Sequence, residues 1–296
     1  MKERANLGRK VTPTYSDLTL LPPPEEKLVA AVYRFQDQTG QYKTDTQGIT
    51  YSRAVTQGAA SMLIKALEDC GWFTLVEREG VNNLLQEREL IRSTRMQYQA
   101  INSMVKNSVE EVKKENSDKQ KNNQSGNNGK NTGLPALPPL LYAGIILEGG
   151  IVAYDTNIVT GGVGERYFGL GGSAQFRKDQ VTVCLRAIAV KTGSILKSVY
   201  ATKTVLSREV DVGLYRFINV KRLMEVEAGY STNEPLQMCV MEAIDKAVIA
   251  IVIEGILDGY WTLKNSEDIK SPVIMRYLEE RGENGARILG WLEKEE

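Results

Sequence analysis

The stretch TNIVTGGVGERYFGLGGSAQFRKDQ, Thr156–Gln180, decides how the rest of the chain is read. It holds six glycines, and Gly169–Ala174 spells G-L-G-G-S-A, which fits the G-x-G-x-x-G/A dinucleotide fingerprint. That fingerprint works only where a strand leads in and a helix leaves with its free N–H groups aimed at the phosphates. After Ala174 the chain runs QFRKDQVTVCL, which alternates, carries β-branched residues and lacks helical apolar spacing. A phosphate loop is therefore rejected. Read with period two, Phe168, Leu170, Ala174 and Phe176 fall on one side; Gly169, Gly171, Ser173, Gln175 and Arg177 fall on the other. On the preceding arm Val159, Gly161 and Val163 face one way and Thr160, Gly162 and Gly164 the other. This predicts a β-hairpin with its tip near Glu165–Tyr167.

A companion segment, REVDVGLYRFINVKRLMEVEAGYST (Arg208–Thr232), alternates more sharply. Val210, Val212 and Leu214 are interleaved with Glu209, Asp211 and Gly213; on the return, Met224, Val226, Ala228 and Tyr230 are interleaved with Glu225, Glu227 and Gly229. The expected tip lies near Phe217–Lys221. Each arm has roughly the nine to eleven residues a tilted strand needs to cross a bilayer. Two amphipathic hairpins resting one face on a soluble core give the same alternation, and periodicity alone leaves both readings open. Glycine density favours a barrel wall, because a soluble strand gains little from residues without side chains. If the hairpins span a membrane, four strands cannot close, so each chain's strands must pair with a neighbour's in a ring.

Bulk composition removes other function classes. The 37 basic and 37 acidic residues cancel, leaving no overall field toward nucleic acid or anionic lipid. There is no histidine, which excludes Ser-His-Asp and Cys-His catalysis and every His-ligated metal site. Cys70, Cys184 and Cys239 are far apart and lie in apolar patterns, so they read as buried small hydrophobes rather than metal ligands or reactive thiols. No run of about eighteen apolar residues marks a transmembrane helix. The opening MKERANLGRKVTPTY lacks the apolar core of a signal peptide, which fits a cytosolic chain or one whose signal has been removed.

Elsewhere the chain reads as α/β. A strand is predicted over Leu28–Phe35, a helix from Tyr51 to Cys70 on the 3/4 spacing of Ala54, Val55, Ala59, Met62, Leu63, Ala66 and Leu67, and a strand in WFTLVE. Helical spacing resumes through Val81, Leu84, Leu85 and Ile91. Ser108–Gly133 is polar and almost free of large apolar residues, so a disordered insertion is expected there. Next come LLYAGIILEGGIVAYD and a strand pair joined around Thr192–Gly193, then a strong helix over Glu234–Leu257 and weaker helical spacing through Ile274, Tyr277 and Leu278.

The order YSDLTLLPPP, VYRFQDQTGQYK, WFTLVEREGVNNLLQERELIR, GGVGERYFGLGG, LYRFINVKRLMEVEAGYSTNEP and GILDGYW resembles the curli secretion channel family, CsgG, over nearly the whole chain. The resemblance implies an α/β periplasmic body with two long transmembrane β-hairpins per chain. These contribute four strands to an oligomeric β-barrel, a nonameric ring of about 36 strands, which is the size of the largest barrels known. On that division, residues 1–27 form an N-terminal extended segment, 28–157 the first part of the body and 158–178 the first hairpin. Residues 179–207 are body strands, 208–232 the second hairpin and 233–296 the C-terminal helices. The implied function is nucleotide-independent export of unfolded curli-type amyloid subunits across the outer membrane, with periplasmic and surface accessory proteins as partners. No catalytic residue, cofactor, metal or nucleic acid is expected.

The implied faces come from the alternation. Val159, Val163, Phe168, Leu170, Phe176, Val210, Val212, Leu214, Met224 and Val226 would meet lipid. Gln175, Arg177, Glu209, Asp211, Glu225 and Glu227 would line the lumen. The family narrows its channel with the loop after the first strand, here KTDTQGITYSR. Tyr51 stands where the family has Phe and Thr50 where it has Asn. The family's other aromatic, a Tyr, has no match among Asp45, Thr46 and Gln47, in a loop about one residue longer. A ring of Tyr51 copies would be aromatic, and one of Asp45 copies anionic. Family members carry a lipidated N-terminal Cys, and no Cys precedes Cys70. The alternative remains a soluble α/β periplasmic scaffold or ligand-binding protein without a pore.

Overall fold

A computed structural model of the chain describes residues 12–45, 48–115, 137–160, 175–211, 214–218 and 234–282. It divides into one compact unit of Met1–Val76 with Tyr142–Glu296, and a second of Glu77–Leu141.

The larger unit is built on a six-stranded mixed sheet. Its strands are β1 (Leu28–Asp37), β4 (Phe73–Val76), β5 (Ile145–Thr160), β6 (Gln175–Ala189), β7 (Ile195–Asp211) and β8 (Leu214–Ile218), in the order β4-β1-β5-β6-β7-β8. β1 runs parallel to both β4 and β5, whereas β5 to β8 pair antiparallel. A separate ribbon pairs β2 (Tyr42–Asp45) with β3 (Gly48–Arg53). Helices α1 (Pro13–Thr19), α2 (Ala59–Asp69), α4 (Glu234–Leu257) and α5 (Pro272–Glu280) complete this unit. α4 is predominantly apolar and largely buried, with Glu242, Asp245, Lys246 and Glu254 interspersed, and packs on β6 and β7, while α2 packs on β1 and β4. A helix of that composition belongs inside a core. Between sheet and helices lie Val181, Val183, Leu185, Ile244, Val248 and Ile251, all fully buried.

Two glycine features set strand and helix spacing. At Gly149 an added Cβ would overlap the Cys184 carbonyl of β6, so the close approach of β5 to β6 requires the bare backbone. Gly255 leaves room on α4 for the indole of Trp261, whose Nε1 donates to the Val252 carbonyl at 2.8 Å.

Three expectations are corrected here. The N-terminal segment is not uniformly extended: Thr12 accepts from Tyr15 N at 3.1 Å and Pro13 opens α1, a short helix held by Thr14 donating to Glu242 (3.1 Å) and Tyr15 to Asp69 (3.1 Å). The helix expected from Tyr51 begins at Ala59. Ala54 and Val55 are buried anchors of the connecting loop, and their spacing imitated a helix face. In the smaller unit α3 runs from Val81 through Glu115, so the first part of the expected insertion is helical. Its Lys and Glu are good helix formers. Residues 116–136 lie outside the described residues. Within that unit Arg78 donates to the Leu141 carbonyl at 3.0 Å, and Arg88 to that of Pro138.

The three cysteines are buried and free, as their apolar surroundings required. Burial pushes the thiols of Cys70 and Cys239 up to about 12.

Candidate functional site

The loop after β1 folds as the β2–β3 hairpin, and its base is closely specified. Asp37 ends β1 and accepts from the backbone N–H of Thr39 at 2.9 Å and from its hydroxyl at 2.7 Å. Gly40 takes the left-handed φ of 67° that the turn needs. Ala54 N then donates to the Gln41 carbonyl at 2.9 Å, and the Arg53 guanidinium lies 4.7 Å from the Tyr42 ring centroid. Buried Val55 and Ala54 moor the return strand.

Within this hairpin Tyr42 pairs with Arg53, Thr44 with Ile49 and Asp45 with Gly48. One β2 residue, Lys43, thus stands opposite Thr50, Tyr51 and Ser52 of β3. That is a β-bulge, a device that re-aims side chains. Tyr51 and Thr50 therefore sit together on the bulged strand rather than at a helix start, with Asp45 at the hairpin's end. Thr46 and Gln47 lie outside the described residues.

The strands predicted to lead into the membrane hairpins are continuations of the body sheet. β5 and β6 pair without a break from Tyr154 opposite Val181 to Thr160 opposite Gln175. Val159 stands opposite Phe176, so this pair shares a face, and Thr160 shares the other with Gln175. Phe176 also stands opposite Arg208 of β7, which puts Val210 in Phe176's phase and Glu209 in Gln175's. Val163, Phe168 and Leu170, and the tip at Glu165–Tyr167, lie outside the described residues.

The second hairpin differs from its expected form. β7 ends at Asp211, and Asp211 pairs with Leu214, so the chain reverses there instead of near Phe217–Lys221; Phe217 lies in β8 opposite Ser207. A register shift between Glu209 and Asp211 interrupts the alternation, and Leu214 shares a face with Asp211 rather than opposing it. Val212, Met224, Val226, Glu225 and Glu227 lie outside the described residues.

Arg177 makes contacts that alternation alone did not reveal. Its Nε donates to Asp179 Oδ1 at 3.0 Å and to the Thr156 hydroxyl at 3.1 Å, and its Nη2 to the Tyr154 hydroxyl at 3.1 Å. Sequence reasoning missed Asp179 and Tyr154. The available signal was phase: Arg177 and Asp179 share the odd-numbered register of Val181, Val183 and Leu185, a charged pair on an apolar face.

A cleft of about 260 Å³ is lined by Lys197, Tyr200, Lys246, Glu254, Tyr277 and Arg281. Its charges are matched internally. Lys197 pairs with Glu254 at 2.9 Å and Asp258 at 2.6 Å, Arg281 pairs with Glu254 at 3.0 Å, and Lys246 pairs with Glu280. The arrangement ties α5 to α4 and β7. Among the described residues no group of His, Cys, Asp and Glu could hold a metal ion, and no helix is long and apolar enough to cross a membrane.

The family model for the curli production assembly/transport component CsgG matches residues 11–110 and 106–280. The chain is 40% identical to the protein of that name from Salmonella typhimurium over 266 residues, covering 90% of this chain and 85% of the relative. It is 39% identical to those of Escherichia coli K12 and Citrobacter koseri over 264 residues, covering 89% of this chain and 84% of each relative.

Proposed function

The chain belongs to the CsgG family of curli production assembly/transport components, and from that premise we propose that it is an oligomeric outer-membrane pore exporting unfolded curli-type amyloid subunits. The body lies in the periplasm and nine copies form the ring. Residues 158–178 and 208–232 of each copy supply four barrel strands. Val159, Val163, Phe168, Leu170, Phe176, Val210, Val212, Met224 and Val226 meet lipid, while Gln175, Arg177, Glu209, Asp211, Glu225 and Glu227 line the water-filled lumen. Export is by diffusion, with no bound nucleotide, and periplasmic and surface accessory proteins give it direction.

The observation that carries this reading is strand continuity. β5 and β6 stay paired from Tyr154 opposite Val181 to Thr160 opposite Gln175, and β6 and β7 out to Phe176 opposite Arg208, so the first hairpin can extend from the body on a continuous ladder, whereas β7 reverses at Asp211. The bulged β2–β3 hairpin supports the constriction: Tyr51 and Thr50 sit on its bulged strand, and Asp45 marks its end.

Single-channel recording of the detergent-purified full chain in a planar bilayer tests the proposal. Large, uniform, stable steps are expected, unaffected by nucleotide. Protein shown to be folded and oligomeric that gives no steps would refute it.

A further inference from the structure

β6 passes from the helix-covered core toward the first hairpin at a small buried polar cluster. Asp179 is 2% exposed and Tyr154 4% exposed. The Tyr154 hydroxyl donates to Asp179 Oδ1 at 3.0 Å, and Arg177 Nε reaches the same oxygen at 3.0 Å. Thr156, which also accepts from Arg177, stands opposite Asp179, and fully buried Ser207 stands opposite Arg177. Beyond Asp179 the same face is Val181, Val183 and Leu185.

As a source of stability this arrangement is a poor choice. A buried carboxylate must be desolvated, and an apolar group of similar volume is often as good or better. What such a cluster does supply is specificity of alignment. Alignment is what the neighbouring arms lack, since glycine-rich strands specify their register weakly and a slip of one residue exchanges their two faces. Three bonds of this cluster, Tyr154 to Asp179 and Arg177 to Tyr154 and Thr156, join β5 to β6 across one particular pairing, Thr156 opposite Asp179 and Tyr154 opposite Val181. A slip by one residue turns Arg177 and Asp179 away from Tyr154 and Thr156 and breaks the three cross-strand bonds, leaving the Arg177–Asp179 pair within β6. The cluster also lies just beyond the register shift between Ile151 and Ala153, where the phase of β5 is reset.

We propose that Asp179, with Tyr154 and Arg177, is the register lock of the first hairpin, fixing which face of residues 158–178 meets lipid and which meets the lumen. They are positioning residues, and the inference rests on the pore reading above.

The test uses the full chain in planar bilayers with a cysteine at Gln175 or Phe176, adjacent residues of opposite phase; the native cysteines are buried. A charged, membrane-impermeant methanethiosulfonate reagent is added and current is recorded. With the lock intact, Gln175→Cys reacts and lowers the current, and Phe176→Cys reacts at least about tenfold more slowly, since only one face is wet. In an Asp179→Asn or Tyr154→Phe background the discrimination falls toward about onefold, because both registers are populated. A merely structural role would lower channel number and leave the discrimination intact. Retained discrimination in channels formed by both variants overturns the lock. Should Asp179→Asn not fold, Tyr154→Phe, which loses one hydroxyl, decides alone. Absence of channels from the unsubstituted chain would overturn the pore reading and the lock with it, whereas channels with unaltered discrimination overturn the lock only.

Discussion

Replacing Gly255 by Ala sets two effects against each other in the GILDGYW motif. Gly255 lies inside α4, where Ala is favoured over Gly by about 1 kcal/mol, so propensity alone predicts stabilisation. Packing predicts the opposite. A methyl there would overlap Trp261 Cζ2 and Cε2 and lie 2.5 Å from Cη2. The indole is 6% exposed and donates to the Val252 carbonyl at 2.8 Å, so it cannot swing aside within its seat. Overpacking of this kind costs about 1–3 kcal/mol, the broken hydrogen bond about 1, and partial expulsion of the ring a further share of the roughly 3–5 that a buried Trp is worth. Subtracting the helix gain leaves a destabilisation of about 2–4 kcal/mol. Urea unfolding followed by far-ultraviolet circular dichroism measures it, and Trp261→Phe in the same chain should recover part of the loss by vacating the space. A Gly255→Ala chain more stable by about 1 kcal/mol would refute the reasoning. The motif's second glycine, Gly259, has φ of 73° and closes the helix by donating to the Ile256 carbonyl. Both glycines thus have packing and backbone reasons.

Tyr51→Ala should widen the channel and raise single-channel conductance; an unchanged value would remove Tyr51 from the constriction. Val212→Asp and Val226→Asp should block insertion while the body's circular dichroism is retained, and normal insertion of both would refute their placement against lipid. Cys70 and Cys239, held at about 12 by burial, should stay unreactive to Ellman's reagent at pH 8 until the protein is unfolded. In the unfolded chain the same thiols ionise near 8.5, so above that pH the unfolded state binds fewer protons. Stability should fall from about pH 8.5 toward pH 12, by up to about 1.4 kcal/mol per thiol per pH unit. Cys239→Ala should flatten that decline; an unaltered slope would show that this thiol does not contribute.

Elements whose own pattern matches their environment were legible in the sequence. α4 runs over Glu234–Leu257 as its predominantly apolar run required, and β6 and β7 meet around Thr192–Gly193, where Gly193 takes the φ of 70° that the turn demands. Elements set by tertiary contacts were not. Ala54 and Val55 extended a helix pattern because burial of a loop and burial of a helix face leave the same apolar trace. α3 ran on past the expected boundary because polarity argues against a core but not against a helix of Lys and Glu. The bulge carrying Thr50 and Tyr51 depends on pairing with β2, and the reversal at Asp211–Leu214 on pairing with β7; neither is encoded in a single strand's alternation. Asp179 was hidden for a similar reason. Its charge reads as solvent-exposed until Tyr154 and Arg177, at distant and nearby positions, are brought onto it.

On the proposed pore, unpaired strand edges would couple insertion to assembly. β8 closes one end of the order and β4 the other, so among the described residues each pairs on a single side. In water the free N–H and C=O groups of an end strand are simply hydrated, and the chain can exist alone. In hydrocarbon each such group costs several kcal/mol, and a span of roughly nine to eleven residues would leave several on each edge. That sum exceeds the roughly 5–15 kcal/mol by which a domain is typically stable. If residues 158–178 and 208–232 enter the bilayer, they can do so only with both outer edges already paired to neighbouring copies. On the proposed pore, ring formation would therefore precede or accompany insertion. On the proposed ring, where neighbours would pair through those edges, a register lock at Asp179 within one chain would bear on how every copy meets the next, and an error there would be carried around the whole barrel.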